Sequence, residues 1–239
     1  MMININFLLI PEILLILGII AILLISVFIN KNSFKFSLYS SLILLIITSF
    51  LVLLNYQDSF INNNKLFIKN LFIINFKILI IISSILVLLI MENYFQDLKI
   101  NKFEVPILIL FSVFGMLIMI SSNNLMSMYL GIEIQSLSLY ILASINRKSL
   151  KSSEAGLKYF ILGALSSAFL LYGCSLIYGF TGSLNFEDIY QKISVFNNLN
   201  IGLIFGLIFV ITSLGFKISA VPFHMWAPDV YEGSPTTVT

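Results

Sequence analysis

Long apolar runs separated by short polar connections recur along the whole chain. Crossing ~30 Å of hydrocarbon takes ~20 residues at a helical rise of ~1.5 Å each. Runs of that order lie at about residues 7–29, 36–55, 71–91, 105–121, 125–146, 155–180 and 199–221. The pattern predicts an all-α integral membrane protein with about seven transmembrane helices and little room for a soluble domain. The connections collect the turn-forming and charged residues: NKNSFK (30–35), QDSFINNNK (57–65), QDLKINKFE (96–104) and NRKSLKSSE (146–154). Pro106 stands near the start of the fourth run, where its missing N–H would have no partner in any case. NFEDIYQKISVF (185–196) is mildly amphipathic and is expected to lie along the membrane interface between the last two runs.

Composition narrows the chemistry. The 239 residues are 59% hydrophobic and 10% charged, and the mean hydropathy is +1.04, far from a soluble globular domain. One cysteine (Cys174) and one histidine (His224) exclude a disulfide framework, a Cys-ligated iron–sulfur cluster, bis-His haem and the usual zinc patterns. No cofactor is expected to be bound by this chain. A net charge of +2 excludes a nucleic-acid partner, which needs clustered Lys and Arg; membrane lipids are the expected surroundings. The first run follows no basic segment and leads to no small-residue cleavage site, so it is expected to be a retained helix. Heavy use of Ile, Leu, Asn, Lys and Phe with little Ala is the bias of an AT-rich genome, such as many organelles have.

Charge also orients the chain. Loops after the odd-numbered runs carry Lys31, Lys35, Lys99, Lys102, Arg147, Lys148 and Lys151, against Lys65, Lys69 and Lys192 on the other side, with Lys77 inside the third run. The first set is expected to face the matrix or cytoplasm.

Ionisable residues well inside the runs carry the functional signal: Glu133, Lys158 and Lys217. Each costs ~2.5–3.5 kcal/mol at mid-membrane, so something must offset it. Glu133 stands ~12 Å into its helix, with the hydroxyls of Tyr129, Ser136 and Tyr140 on the same face at i−4, i+3 and i+7. It reads either as a structural carboxylate joining two helices or as part of a proton path. Lys158 can snorkel to the interface, pair with Glu154 one turn earlier, or serve the same path. The small residues that follow it, Gly163, Ala164, Ser166, Ser167 and Ala168, let helices approach closely, as does GLIFG at 202–206. Lys217 stands among Thr212, Ser213, Gly215, Ser219 and Pro222, which weaken a helix and invite a break beside a buried ammonium. The alternative is a span that ends near Ile218 and leaves Lys217 as an interfacial anchor. His224 can relay protons or, beside Trp226, lie at the interface. Asp229 and Glu232 are expected in a polar loop, and Glu12 as an acid favoured at a helix N-terminus.

EAGLKYFILGALSSAFLLYG (154–173) and GFKISAVPFHMWAPDVYEGSPT (215–236), with LGIEIQSLSLYIL upstream and PEILL near the start, resemble NADH dehydrogenase subunit 2, called subunit N in bacteria, of respiratory complex I. The resemblance covers the whole chain. It implies the N-terminal half of an antiporter-like fold: three N-terminal transmembrane helices in residues 1–104, then in 105–239 the first part of the antiporter-like unit with a discontinuous seventh helix. It implies a translocase subunit that helps move protons while redox chemistry proceeds elsewhere. NADH, FMN, iron–sulfur clusters and ubiquinone are expected in other subunits. The family's glutamate on the fifth helix falls on Glu133, its lysine on the sixth on Lys158, and its central lysine on the broken seventh on Lys217. The family's chain continues through an eighth helix and an inverted second unit, whereas this sequence stops at Thr239. The implied partners are other membrane-arm subunits and a separately encoded C-terminal half. The alternatives are a non-pumping scaffold of the arm or a related cation/proton antiporter. The implied location is the mitochondrial inner membrane or, alternatively, a bacterial cytoplasmic membrane.

Overall fold

A computed structural model of the chain describes residues 9–29, 32–54, 60–61, 66–97, 101–195 and 200–238. Among them, six helices are long and apolar enough to cross a membrane: α1 (Ile10–Phe28), α2 (Ser33–Leu54), α3 (Leu71–Asp97), α4 (Glu104–Ser121), α5 (Leu125–Ala143) and α6 (Leu150–Thr181). A short amphipathic helix α7 (Phe186–Val195), a shorter apolar helix α8 (Ile201–Lys217) and α9 (Ala227–Gly233) complete the helical set. The polar stretch expected as a plain loop at 57–65 instead contributes to a small antiparallel hairpin, β1 (Phe60–Ile61) with β2 (Ile68–Lys69), in the register Phe60 to Lys69 and Ile61 to Ile68. Lys31, Lys65 and Lys99, used above to orient the chain, lie outside the described residues.

The apolar runs become helices close to their expected limits, with differences at the ends. α3 continues to Asp97 and α6 starts at Leu150, because polar residues at the membrane edge extend a helix as readily as apolar ones. The Ser149 side chain caps α6 by accepting from the Ser152 N–H, and Gly182, at φ 64°, closes its other end in the left-handed conformation. α7 divides cleanly, with Ile189 buried and Tyr190, Gln191 and Lys192 exposed, which is the geometry of a helix lying along an interface.

One apolar cluster joins α1, α2, α3 and α4, centred on side chains such as Leu15, Leu38, Ile81 and Leu110. α4 packs against α1, α2, α3 and α5, and is therefore the central helix of this part. Outward faces are apolar as well: Leu17, Phe28, Ile43, Phe50, Leu79 and Ile90 are all exposed, as side chains meeting lipid should be. Buried hydroxyls in this cluster satisfy themselves locally, Ser41 donating to the Leu38 carbonyl at 2.7 Å and Ser112 to that of Ile109 at 2.7 Å. Two glycine pairs bring helix backbones into close contact. A Cβ at Gly131 of α5 would lie 2.9 Å from the Gly115 carbonyl of α4, and one at Gly173 of α6 would lie 2.8 Å from the Gly206 carbonyl of α8.

The structure corrects further expectations: Asp229 and Glu232, expected in a polar loop, both lie in the helix α9. Glu12 of α1 and Lys77 of α3 form an ion pair, and both residues are almost wholly enclosed, at 3% and 6% exposure. Glu12 is thus a partner of a buried cation and not only an acid suited to a helix N-terminus, and the ionisable residues inside the spans are more than Glu133, Lys158 and Lys217. The physical reason is reach: the long lysine stem from α3 delivers an ammonium to a carboxylate one helix away.

Candidate functional site

The site forms where α8 breaks. Its last turn contains Gly215, and Ser219 then takes a left-handed φ of 53°, which turns the backbone out of the helix. The Ala220 N–H closes this end by donating to the Gly215 carbonyl at 2.8 Å, while Pro222 has no N–H with which to continue a helix. Residues 218–226 form successive turns, and helical structure resumes at α9, which has Pro228 in its first turn. The seventh run is therefore discontinuous, and Lys217 is the last residue before the break. Trp226 secures the turn from the far side by donating its Nε1–H to the Phe216 carbonyl at 3.0 Å.

Lys217 faces inward to α5. Its Nζ lies 3.5 Å from Glu133 Oε1, with side-chain exposures of 16% and 19%. It also donates to the Tyr140 hydroxyl at 3.1 Å, the tighter of the two contacts, and lies 5.7 Å from the centre of that ring. Counting ~1.5 Å per residue from the helix starts, Lys217 and Tyr140 both stand ~22–24 Å along their helices, so the amine reaches back toward Glu133. The Tyr140 ring is boxed in by Tyr159 at 4.6 Å and Phe160 at 5.9 Å, both edge-on, and by Gly163 of α6.

The remaining expected residues divide between this site and its surroundings. Ser136 is buried, but its hydroxyl donates to the Glu133 main-chain carbonyl at 3.2 Å and not to the carboxylate. Tyr129 is half-buried one turn before Glu133 and packs in the α5–α6–α8 cluster. His224 is exposed within the turns between α8 and α9. Lys158 joins a different group: it pairs with Glu154 at 2.7 Å and with Asp229 of α9 at 2.6 Å, while Lys151 pairs with Glu232 at 2.7 Å. These residues line a shallow cavity of about 140 Å³ between the start of α6 and α9. The hydrogen bond from Lys151 holds the exposed Glu232 carboxyl below its ordinary range. Among the described residues no three His, Cys, Asp or Glu side chains gather as metal ligands would.

Three features of this arrangement escape sequence reasoning. The Glu12–Lys77 pair left only an isolated lysine in an apolar run as its signal. The ring series Tyr140–Tyr159–Trp226, its last two members stacked at 4.7 Å and 12°, left none, since aromatic residues are equally at home in a core. Gly163 was legible as a packing residue, but the partner it admits was not.

A carboxylate and an ammonium in partial contact at the end of an interrupted transmembrane helix, enclosed by a multi-helix scaffold, define a class: a polytopic membrane protein with an antiporter-like fold. Residues 122–239 match the family described as NADH:quinone oxidoreductase/Mrp antiporter, TM. The chain is 49% identical over 232 residues to NADH-quinone oxidoreductase subunit N of Bartonella bacilliformis, covering 97% of this chain and 47% of that protein. It is 52% identical over 238 residues to the same subunit of Pelagibacter ubique, covering 99% and 49%. Among solved structures, respiratory complex I from Thermus thermophilus with bound aureothin superposes with a TM-score of 0.79 at 29% identity, over 95% of this chain and 48% of that one. The membrane-bound sulfane sulfur reductase, an archaeal respiratory membrane complex, shares the fold at TM-score 0.83 and 23% identity, over 98% and 49%. The chain belongs to the NADH-quinone oxidoreductase subunit N family. It spans about half the length of the curated relatives it matches.

Proposed function

We propose that this chain is a membrane-arm component of a proton-pumping NADH:quinone oxidoreductase and carries part of a proton path. The observation that carries the reading is the Lys217–Glu133 pair, 3.5 Å apart at the break of α8. An isolated charge at such depth costs ~2.5–3.5 kcal/mol, and mutual contact offsets part of that. Moving α8 relative to α5 would separate the pair and remove the reason for the amine to hold its proton, which then passes to neighbouring hydroxyls or water. Moving one charge across 100 mV requires ~2.3 kcal/mol.

In this reading Glu133 and Lys217 exchange and release the proton. Lys158, held by Glu154 and Asp229, passes charge between the site and the α6–α9 cavity. Tyr129, Ser136, Tyr140 and His224 are accessory. Residues 1–104 form an N-terminal three-helix unit and 105–239 the first part of the antiporter-like unit. The chain acts as a translocase subunit with no redox chemistry of its own, while NADH, FMN, iron–sulfur clusters and ubiquinone belong to other subunits. Its partners are other membrane-arm subunits. Its location is an energy-conserving membrane; the relatives named above are bacterial, which supports the cytoplasmic membrane over the mitochondrial one.

The matching family also includes Mrp antiporters, so cation/proton exchange without a redox partner is the second reading. Identity of 49–52% to NADH-quinone oxidoreductase subunits favours the first. The test is Lys217→Met in native membranes, with proton uptake into vesicles measured against NADH oxidation. Loss of NADH-driven uptake is expected; unchanged coupling would reduce the chain to a scaffold, and sodium-linked exchange independent of NADH would favour the antiporter.

A further inference from the structure

Tyr140 has more connections to Lys217 than an accessory hydroxyl needs. It is 5% exposed, and its oxygen receives the Lys217 ammonium at 3.1 Å, closer than Glu133 does at 3.5 Å. Its position is fixed from three directions. Tyr159 meets it edge-on at 4.6 Å and 84°, and Phe160 at 5.9 Å and 79°. Gly163 supplies the third: a Cβ there would lie 2.0 Å from the Tyr140 oxygen and 2.5 Å from the ring carbon that bears it. Only a residue without a side chain leaves room for this hydroxyl.

The fixing elements lead back to the helix break. Tyr159 stacks on Trp226 at 4.7 Å and 12°, and Trp226 donates to the carbonyl of Phe216, the residue immediately before Lys217. A loop of contacts therefore runs from Lys217 through Tyr140, Tyr159 and Trp226 to the backbone that carries Lys217. An ammonium on a flexible four-carbon stem loses considerable rotamer freedom when held in one place. A pre-positioned acceptor on a rigid ring supplies the restraint.

We propose that Tyr140 is the positioning residue for Lys217, and that the ring series Tyr140–Tyr159–Trp226 ties the ammonium to the geometry of the α8–α9 break. This rests on the proton-path reading given above. Tyr140 is not itself a stop on the path. It holds the amine within reach of Glu133, and a shift of the break moves Trp226, the ring series and the amine together.

The test uses the assembled complex in native membranes. Tyr140→Phe keeps the ring and its packing and removes the acceptor. It is expected to leave NADH oxidation by an artificial electron acceptor at the level of the unaltered complex and to lower quinone-linked proton uptake about tenfold, the loss of one charge-assisted hydrogen bond. Site-specific fluorotyrosines at 140 then nearly keep size and shape while each fluorine acidifies the phenol, so that beside the Lys217 ammonium the oxygen turns progressively to phenolate and holds the amine in place of Glu133. Proton uptake is expected to fall step by step with fluorine number, a response that a purely packing role would not produce. Uptake unchanged in Tyr140→Phe, or flat across the fluorotyrosines, overturns the proposal; should Tyr140→Phe fail to assemble, the fluorotyrosine series decides alone. Lys217→Met separates the two levels. If it abolishes uptake while every Tyr140 variant is normal, only the positioning role is wrong; if it too is normal, the proton-path reading has failed.

Discussion

Replacing Lys77 by Met probes the buried pair between α1 and α3. The lysine is 6% exposed and its partner Glu12 is 3% exposed, so neither charge has water to fall back on. Glu12 Oε2 is buried without a hydrogen-bond partner among the described residues, which leaves the carboxylate dependent on Lys77. Breaking a buried pair from one side typically costs ~3–5 kcal/mol, because the remaining charge is uncompensated. Removing both charges is often close to neutral, since apolar groups of similar volume pack without a desolvation penalty. Lys77→Met alone should therefore destabilise by ~3–5 kcal/mol, and Glu12→Leu combined with Lys77→Met should recover most of the loss. At ~2–4 °C per kcal/mol for a chain of this size, the single variant should melt ~6–20 °C lower. The assay is the temperature at which detergent-solubilised protein loses its monodisperse size-exclusion peak. A single variant that melts with the parent, or a double variant as unstable as the single, would refute the reasoning. Protons moved per NADH should be the same in every variant that assembles, because the pair lies outside the α5–α8 site.

Gly163→Ala should damage the site through sterics alone: the new methyl would lie 2.0 Å from the Tyr140 oxygen, and overpacking of this kind costs ~1–3 kcal/mol, readable as a lower melting temperature together with reduced proton uptake. The Lys151–Glu232 contact should act at the α6–α9 end in a pH-dependent way. Because Lys151 depresses the Glu232 carboxyl, its contribution is present above the unfolded carboxylate range near ~4.3 and is lost as pH falls through the lower folded value. Melting curves of Glu232→Gln should accordingly differ from the parent near neutral pH and converge with it in acid; a difference that persists in acid would contradict the pairing.

Residue pattern alone determined the seven apolar runs, the short amphipathic segment between the last two and the weak point after Lys217. The reason is that a bilayer imposes a length and a hydrophobicity on each crossing independently of every other. Glycine, serine and proline act just as locally, so Gly215, Ser219 and Pro222 announced a break before any neighbour was known. Intramembrane charge is conspicuous for the same reason, and Glu133 and Lys217 stood out without coordinates. What each charge meets is a different matter, because it depends on helices distant in sequence whose crossing no local pattern encodes. Tertiary packing alone paired Lys217 with Tyr140 and Glu133, gave Lys158 to Asp229, and closed Glu12 on Lys77. In the membrane interior, hydropathy decides which segments cross, while close packing at small residues such as Gly131, Gly163 and Gly173 decides which faces touch.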